Sequence, residues 1–115
     1  MAVTIYHNPR CSKSRQTLAL LQDRGIEPTV VEYLNDTPDA KTLDDILKKL
    51  DMEPRALMRR KEAPYKELGL DDPGLSRSAL IAAMVEHPIL IERPIVVKGA
   101  KVALGRPPEN VLAIL

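Results

Sequence analysis

The architecture of this chain can be read outward from one segment, VTIYHNPRCSKSR, which spans residues 3–15. Val3 and Ile5 flank Thr4 in the alternating pattern that is typical of a β-strand. The residues from Ser12 to Arg24 have helical character. Cys11, the only cysteine in the sequence, is therefore predicted in a strand-to-helix loop, just before a helix N-terminus.

A cysteine in this position has a chemical use. The first turn of a helix presents unpaired backbone N–H groups and roughly half a positive charge, which stabilise a thiolate and hold an oxyanion. Arg10, Lys13 and Arg15 add positive charge close by. We therefore predict that Cys11 ionises more easily than a free cysteine, whose pKa is about 8.5, and that it acts as a nucleophile.

Composition narrows the class of protein. The formal net charge is +1 and the sequence has no Phe or Trp, so we expect no nucleic-acid partner. No apolar run approaches the roughly 18 residues that cross a membrane, and the N-terminus does not resemble a signal sequence. A lone cysteine excludes an internal disulfide framework. We expect one cytoplasmic domain over residues 1–115, with no bound cofactor.

Strand and helix patterns alternate after the first segment. Gly25 is predicted to cap the first helix. Thr29–Leu34 is predicted to be a strand, and its adjacent Val30 and Val31 indicate burial on both faces. A strand, a helix and a strand within about 30 residues form a βαβ unit with parallel strands.

Residues 38–88 are predicted to be a helical insertion. One helix presents an apolar face formed by Leu43, Ile46, Leu47 and Leu50. A short helical piece is expected over Arg55–Arg60, and a second over Glu62–Leu70 with a break at Pro64. Ser76 is predicted to cap a further helix that ends before His87-Pro88.

The last third of the sequence predicts a hairpin with strands Pro94–Val97 and Val102–Leu104, followed by a closing helix. The inner face of that helix is predicted to carry Val111, Leu112 and Leu115. This order of elements is that of the thioredoxin-like α/β fold. By analogy with that fold, Pro94 is expected to be a cis-proline beside Cys11.

Residues 7–18, HNPRCSKSRQTL, resemble the active-site loop of the ArsC-type, glutaredoxin-coupled arsenate reductases and carry its His-x3-Cys-x3-Arg pattern. The resemblance extends over nearly the whole chain, through runs at Arg55–Arg59, Pro64–Tyr65, Leu68–Leu70, His87–Ile91, Glu92–Val97 and Gly105–Pro107. Better-studied members of that family carry a C-terminal tail beyond the final helix. With Leu115 as its last residue, this chain resembles a short branch of the family.

The resemblance implies that Cys11 attacks arsenate, that glutathione is the co-substrate, and that glutaredoxin resolves the resulting mixed disulfide. It implies oxyanion binding by Arg59, Arg93 and Arg106, a role that suits guanidinium groups because they bind tetrahedral oxyanions bidentately and keep their charge. It also implies that His7 helps to lower the pKa of the thiol.

The residues themselves leave some of these roles open. His7 can equally be a strand-end residue that bonds to backbone. Arg15 lies one helical turn after Cys11, where it could tune the thiol or pair with an acidic residue. Asn8 is expected to hold the loop through its own side chain. Ser14 stands where a Cys-x-x-Cys motif would have its second cysteine.

Two other functions compete with arsenate reduction. One is a thioredoxin-fold thiol oxidoreductase that handles glutathione mixed disulfides, using Cys11 and Ser14 as a monothiol glutaredoxin does. The other is an Spx-like regulator that binds a protein partner such as RNA polymerase. Such a regulator would have no reason to keep three anion-binding arginines. The thioredoxin-coupled arsenate reductases need several cysteines, so the single cysteine argues against that class. A Cys-x5-Arg phosphatase loop is absent because Thr17 occupies the position of its arginine.

Overall fold

The structure is a computed structural model that describes residues 2–115. These residues form two compact units, one running to Asp36 and resuming at Arg93, the other spanning Thr37–Glu92. The first unit contains a four-stranded sheet in the order β2-β1-β3-β4. Its strands are β1 (Val3–Tyr6), β2 (Thr29–Val31), β3 (Ile95–Lys98) and β4 (Lys101–Leu104).

The first half of the sheet is the predicted βαβ unit. Strands β1 and β2 are parallel, with Ile5 opposite Val30. Helix α1 (Ser12–Asp23) connects them. Gly25 has a φ of 74°, a left-handed conformation that glycine adopts without steric cost, so the chain turns back towards β2 directly after the helix.

The second half is the predicted hairpin. Strands β3 and β4 are antiparallel and turn at Gly99, whose φ is 60°. Strand β3 also pairs with β1 in antiparallel fashion, with Ile5 opposite Val96. A parallel pair joined by a helix, followed by an antiparallel hairpin and a closing helix, is the thioredoxin-like arrangement that the sequence predicted.

The closing segment is a 3-10 helix over Pro108–Ile114, which the sequence predicted only as a helix. It packs on β4 and α1. The core of this unit is formed by Val3, Ile5, Leu21, Val96, Ala103 and Val111. Of the predicted inner face, Val111 is fully buried, Leu115 packs against the core, and Leu112 is half-buried.

The second unit is helical. Its α-helices are α2 (Ala40–Leu50), α3 (Ala63–Glu67) and α4 (Arg77–Glu86), with 3-10 turns at Pro54–Leu57 and Pro88–Leu90. Ser76 caps α4 as predicted, since its hydroxyl accepts from the backbone N–H of Ala79 at 3.2 Å. Leu43, Ile46 and Leu47 are buried on α2, whereas Leu50 is only half-buried.

Two predictions about the elements were wrong. Strand β2 ends at Val31, and Val30 is 44% exposed, because β2 is an edge strand and not an interior strand. Pro64 lies in the first turn of α3 and starts that helix instead of breaking it. The short helical piece predicted over Arg55–Arg60 is present as a 3-10 helix over Pro54–Leu57, after which Met58 forms an isolated β-bridge with Ile91.

No helix among residues 2–115 is both long enough and apolar enough to span a bilayer. Within the same residues, no group of three or more histidine, cysteine and carboxylate side chains is arranged to hold a metal ion.

Leu21→Ala tests the core beneath α1. Leu21 is fully buried, so truncation should lower the free energy of unfolding by about 2–5 kcal/mol. Leu68→Ala is the matched control, because Leu68 is 48% exposed and its truncation should cost roughly 0.5 kcal/mol or less. Urea unfolding of the two variants measures the difference, and equal costs would contradict the described packing.

Candidate active site

The loop between β1 and α1 is shaped by Asn8. The side-chain Oδ1 of Asn8 accepts from the backbone N–H of Arg10 at 3.0 Å, and its carbonyl oxygen accepts from the N–H of Cys11 at 3.0 Å. Asn8 thus holds the loop through its own side chain, in the way that asparagine commonly does in turns. These bonds bring Cys11 to the N-cap position of α1 in an extended conformation.

The Cys11 thiol is half-buried and its pKa is below that of an ordinary cysteine. Burial alone would raise the pKa, since it penalises the thiolate. The backbone N–H of Ser14, the guanidinium of Arg93 and the backbone N–H of Lys13 favour the thiolate and outweigh that penalty. Both N–H groups belong to the first turn of α1, whereas the guanidinium comes from Arg93, which is distant in sequence.

Two arginines from the last quarter of the chain, Arg93 and Arg106, lie beside the thiol. Arg93 directly precedes Pro94, whose peptide bond is cis as expected. The Nη1 of Arg106 lies 4.0 Å from the Cys11 Sγ and 3.2 Å from the carbonyl oxygen of Arg93. The Nε of Arg93 is buried, and no residue in the described part of the chain accepts a hydrogen bond from it.

Gly105 is a site residue whose role the sequence did not reveal. A Cβ at this position would lie 2.7 Å from the Thr17 Oγ1 and 2.8 Å from the Pro94 Cγ. The N–H of Gly105 also donates to the carbonyl oxygen of Pro94 at 2.9 Å. This close approach sets the position of the next residue, Arg106. The following Arg106-Pro107 bond is a second cis peptide, which the sequence did not predict.

His7 and Ser14 form a buried pair behind the loop. The Ser14 Oγ accepts from the backbone N–H of Asn8 at 3.0 Å and lies 2.6 Å from the His7 Nδ1. Burial lowers the pKa of His7; Arg15 lowers it further, and Glu32 opposes the shift. The imidazole and the hydroxyl are within hydrogen-bond distance, and the tautomer of His7 decides which of the two donates.

The environment of His7 bears on its predicted role. A neutral imidazole supplies no full positive charge to a thiolate, and the hydrogen bond of Nδ1 is made to Ser14. The backbone N–H of His7 donates to the Val31 carbonyl oxygen at 2.8 Å, the backbone bond expected of a strand-end residue. Lowering of the thiol pKa by His7 stays a prediction, and the geometry favours support of the loop.

Arg15 makes a contact that neither sequence alternative included. Its Nη1 donates to the carbonyl oxygen of Pro9 at 2.9 Å, and its backbone N–H donates to the Cys11 carbonyl oxygen at 3.0 Å. The side chain therefore ties the first turn of α1 to the loop. A direct effect of Arg15 on the Cys11 thiol stays a prediction.

The family follows from comparison with known proteins. The profile of the ArsC family matches residues 6–114. The chain belongs to the ArsC family. A protein of Neisseria meningitidis serogroup A named arsenate reductase is 53% identical over 98% of this chain and 97% of its own length. The uncharacterised protein YfgD of Escherichia coli K12 is 60% identical over 98% and 96%, respectively. A solved structure named arsenate reductase from Vibrio cholerae is 57% identical, with a TM-score of 0.97 over 100% of this chain and 98% of that one.

The third arginine that the ArsC resemblance singled out, Arg59, lies in the helical unit. Its Nε is 3.4 Å from Glu62 and its Nη1 is 3.2 Å from Glu92, so two carboxylates hold the guanidinium. Its backbone N–H donates to the Leu90 carbonyl oxygen at 2.7 Å. This pairing leaves other N–H groups of the guanidinium available for further acceptors. Oxyanion binding by Arg59 stays a prediction.

Arg93→Ala tests the origin of the low thiol pKa. Removing the guanidinium should raise the pKa of Cys11 towards that of an ordinary cysteine, so less thiolate is present at neutral pH. The pH dependence of iodoacetamide alkylation measures this shift. Arg24→Ala, an exposed arginine after the other end of α1, is the control and should leave the profile unchanged. A profile of Arg93→Ala identical to that of the unsubstituted protein would contradict the assignment.

Gly105→Ala tests the close approach beneath Arg106. The added methyl group overpacks the contact with Thr17 and Pro94 and should lower the free energy of unfolding by about 1–3 kcal/mol. In a double-mutant cycle, Thr17→Ala should offset part of this cost, because it removes the atom nearest to the new methyl. Strictly additive effects in thermal unfolding would show that the two residues are not packed as described.

Proposed function

We propose that this chain is an arsenate reductase in which the Cys11 thiolate is the nucleophile. Membership of the ArsC family and the close similarity to proteins named arsenate reductase support the reaction. The low pKa of Cys11 supports its role, since the thiolate is the nucleophilic form of cysteine.

The main structural support for the proposal is one buried hydrogen-bond donor beside the thiol. The Nε–H of Arg93 is buried and has no acceptor among residues 2–115, whereas buried donors in folded proteins nearly always have a partner. Arg106 reaches to 4.0 Å from the sulfur on the exposed side. A tetrahedral oxyanion beside the Cys11 sulfur supplies the acceptor for Arg93 and presents oxygens to both guanidinium groups.

The proposed reaction has three steps. The thiolate of Cys11 attacks the arsenic of arsenate, an As–S bond forms, and one oxygen leaves as water after protonation. The thiol of glutathione then attacks the Cys11 sulfur, the As–S bond breaks, and its electron pair reduces arsenic to arsenite. Cys11 is left in a mixed disulfide with glutathione, and a glutaredoxin thiol removes the glutathionyl group and restores Cys11.

The arginines bind and orient the oxyanion in this scheme. Arg93 and Arg106 stabilise the negative charge that develops on the arsenate oxygens as one oxygen leaves. We include Arg59 as the third oxyanion ligand on the basis of the family resemblance. The first-turn N–H groups of Ser14 and Lys13 hold the thiolate before attack and receive it again when the mixed disulfide is cleaved.

The source of electrons follows from the cysteine count. With a single cysteine in its 115 residues, the chain offers no internal thiol to form a disulfide with Cys11. An outside thiol must take that part, and we propose glutathione with glutaredoxin. A reducing compartment such as the cytoplasm keeps both the thiol and the glutathione pool in the form that the reaction needs.

Cys11→Ser tests the proposal in a coupled assay. The purified protein is mixed with arsenate, glutathione, glutaredoxin and glutathione reductase, and NADPH oxidation is followed. We expect arsenate-dependent oxidation that Cys11→Ser abolishes, because a serine hydroxyl at neutral pH is a poor nucleophile. Arg24→Ala is the control for a substitution outside the site and should retain the full rate.

The same assay separates the competing activity. Oxidation that needs no arsenate but does need a glutathione mixed disulfide would indicate a thiol oxidoreductase. Full arsenate-dependent activity in Cys11→Ser would contradict the assignment of the nucleophile.

A further inference from the structure

A crevice of about 340 Å³ lies beside the Cys11 loop, on the side of strand β2. Its walls are residues that follow two parallel strands, His7–Arg10 after β1 and Glu32, Leu34 and Asn35 after β2. The volume lies within the roughly 300–1,000 Å³ range of small-molecule sites.

The crevice carries one charge of each sign, from Arg10 and Glu32. Arg10 and Glu32 are both exposed, and neither belongs to an ion pair within residues 2–115. Leu34, which is 40% exposed, and Pro9 supply apolar surface between them. One free cation, one free anion and a short apolar strip match a small zwitterionic peptide better than a simple anion.

We propose that this crevice binds glutathione, an inference that rests on the proposed function because that function requires an outside thiol. The carboxylate of Glu32 pairs with the γ-glutamyl ammonium, and the guanidinium of Arg10 binds the glycyl carboxylate. Arg10 directly precedes Cys11, so this placement puts the glycyl end of glutathione at the loop that carries the thiol.

The rate at which Cys11 reacts with oxidised glutathione tests binding in the crevice without arsenate. The thiolate attacks one sulfur of the disulfide, the S–S bond breaks, and a mixed disulfide forms while one glutathione thiolate leaves. The neutral reagent dithiodipyridine reacts with the same thiolate but has neither the ammonium nor the carboxylates. The ratio of the two second-order rates cancels any change in the pKa or exposure of Cys11.

Glu32→Gln is the decisive variant. Glutathione disulfide carries a net negative charge. If only net charge matters, removal of a nearby carboxylate reduces the repulsion and accelerates the reaction. If Glu32 holds the γ-glutamyl ammonium, the rate ratio instead falls, by about fivefold for an exposed ion pair. Glu27→Gln is the matched control, since Glu27 is exposed before the start of β2, and it should leave the ratio unchanged.

The outcomes test glutathione binding in the crevice independently of arsenate reduction. A fall in the ratio for both Glu32→Gln and Arg10→Gln supports the site, whether or not arsenate is reduced. An unchanged or raised ratio in Glu32→Gln overturns it and leaves the arsenate assay free to succeed on its own. As a second readout, S-methylglutathione, which cannot react, should shift the NMR signals of the crevice residues of the unsubstituted protein. Absence of those shifts at millimolar concentration also overturns the proposal.

Discussion

Gly105 packs against Thr17 and Pro94 with no room for a side chain, and the geometry of the thiol depends on this contact. It joins three parts of the chain that are distant in sequence: the first helix, the start of β3 and the end of β4. Each part delivers one component of the site, since α1 begins at Cys11, β3 follows Arg93, and Arg106 follows Gly105. Close packing here transmits any displacement of one component to the other two, because protein interiors tolerate little change in volume.

The thiolate is stabilised by groups of two kinds. The N–H groups of Ser14 and Lys13 are fixed by the helix and carry no net charge, whereas Arg93 contributes a full charge. Salt screens exposed charges over about 10 Å at 0.1 M, but it affects short contacts to fixed backbone donors much less. Each unit of pKa corresponds to about 1.4 kcal/mol, so these contacts need only modest energies to outweigh the cost of partial burial. Asn8, Ser14 and His7 keep the donors in place through their own hydrogen bonds.

Local patterns in the sequence predicted most of the elements. The alternation in β1, the helical spacing in α2 and the serine cap of α4 depend on neighbouring residues, and all three were predicted correctly. The exposure of Val30 was missed because it depends on the order of strands, and two adjacent valines look the same in an edge strand and in an interior strand. The position of Pro64 was missed because a proline that starts a helix and one that interrupts it differ only in where the helix begins.

The site was predictable to a similar degree. The loop itself indicated Cys11 and the helix N-terminus, but proximity in sequence overstated the part played by Arg10, Lys13 and Arg15. The nearby guanidinium groups come instead from Arg93 and Arg106, which only the fold brings to the loop and which the family resemblance had indicated. The role of Gly105 follows from contacts across the fold, for which a single sequence carries no signal. The Ser14 hydroxyl instead contacts Asn8 and His7 in the adjoining loop, and its role depends on how that loop folds.

A lone thiol with a depressed pKa also has a chemical vulnerability. Peroxide converts thiolates to sulfenic acids, and further oxidation to the sulfinic and sulfonic acids is generally not reversed. A protein with a second cysteine nearby can halt this sequence by forming an internal disulfide, but Cys11 has no such neighbour in its chain. Capping by a small thiol from solution is then a reversible way to protect the sulfur. With glutathione as the outside thiol that we propose, the mixed disulfide of turnover would also be a protected form of Cys11.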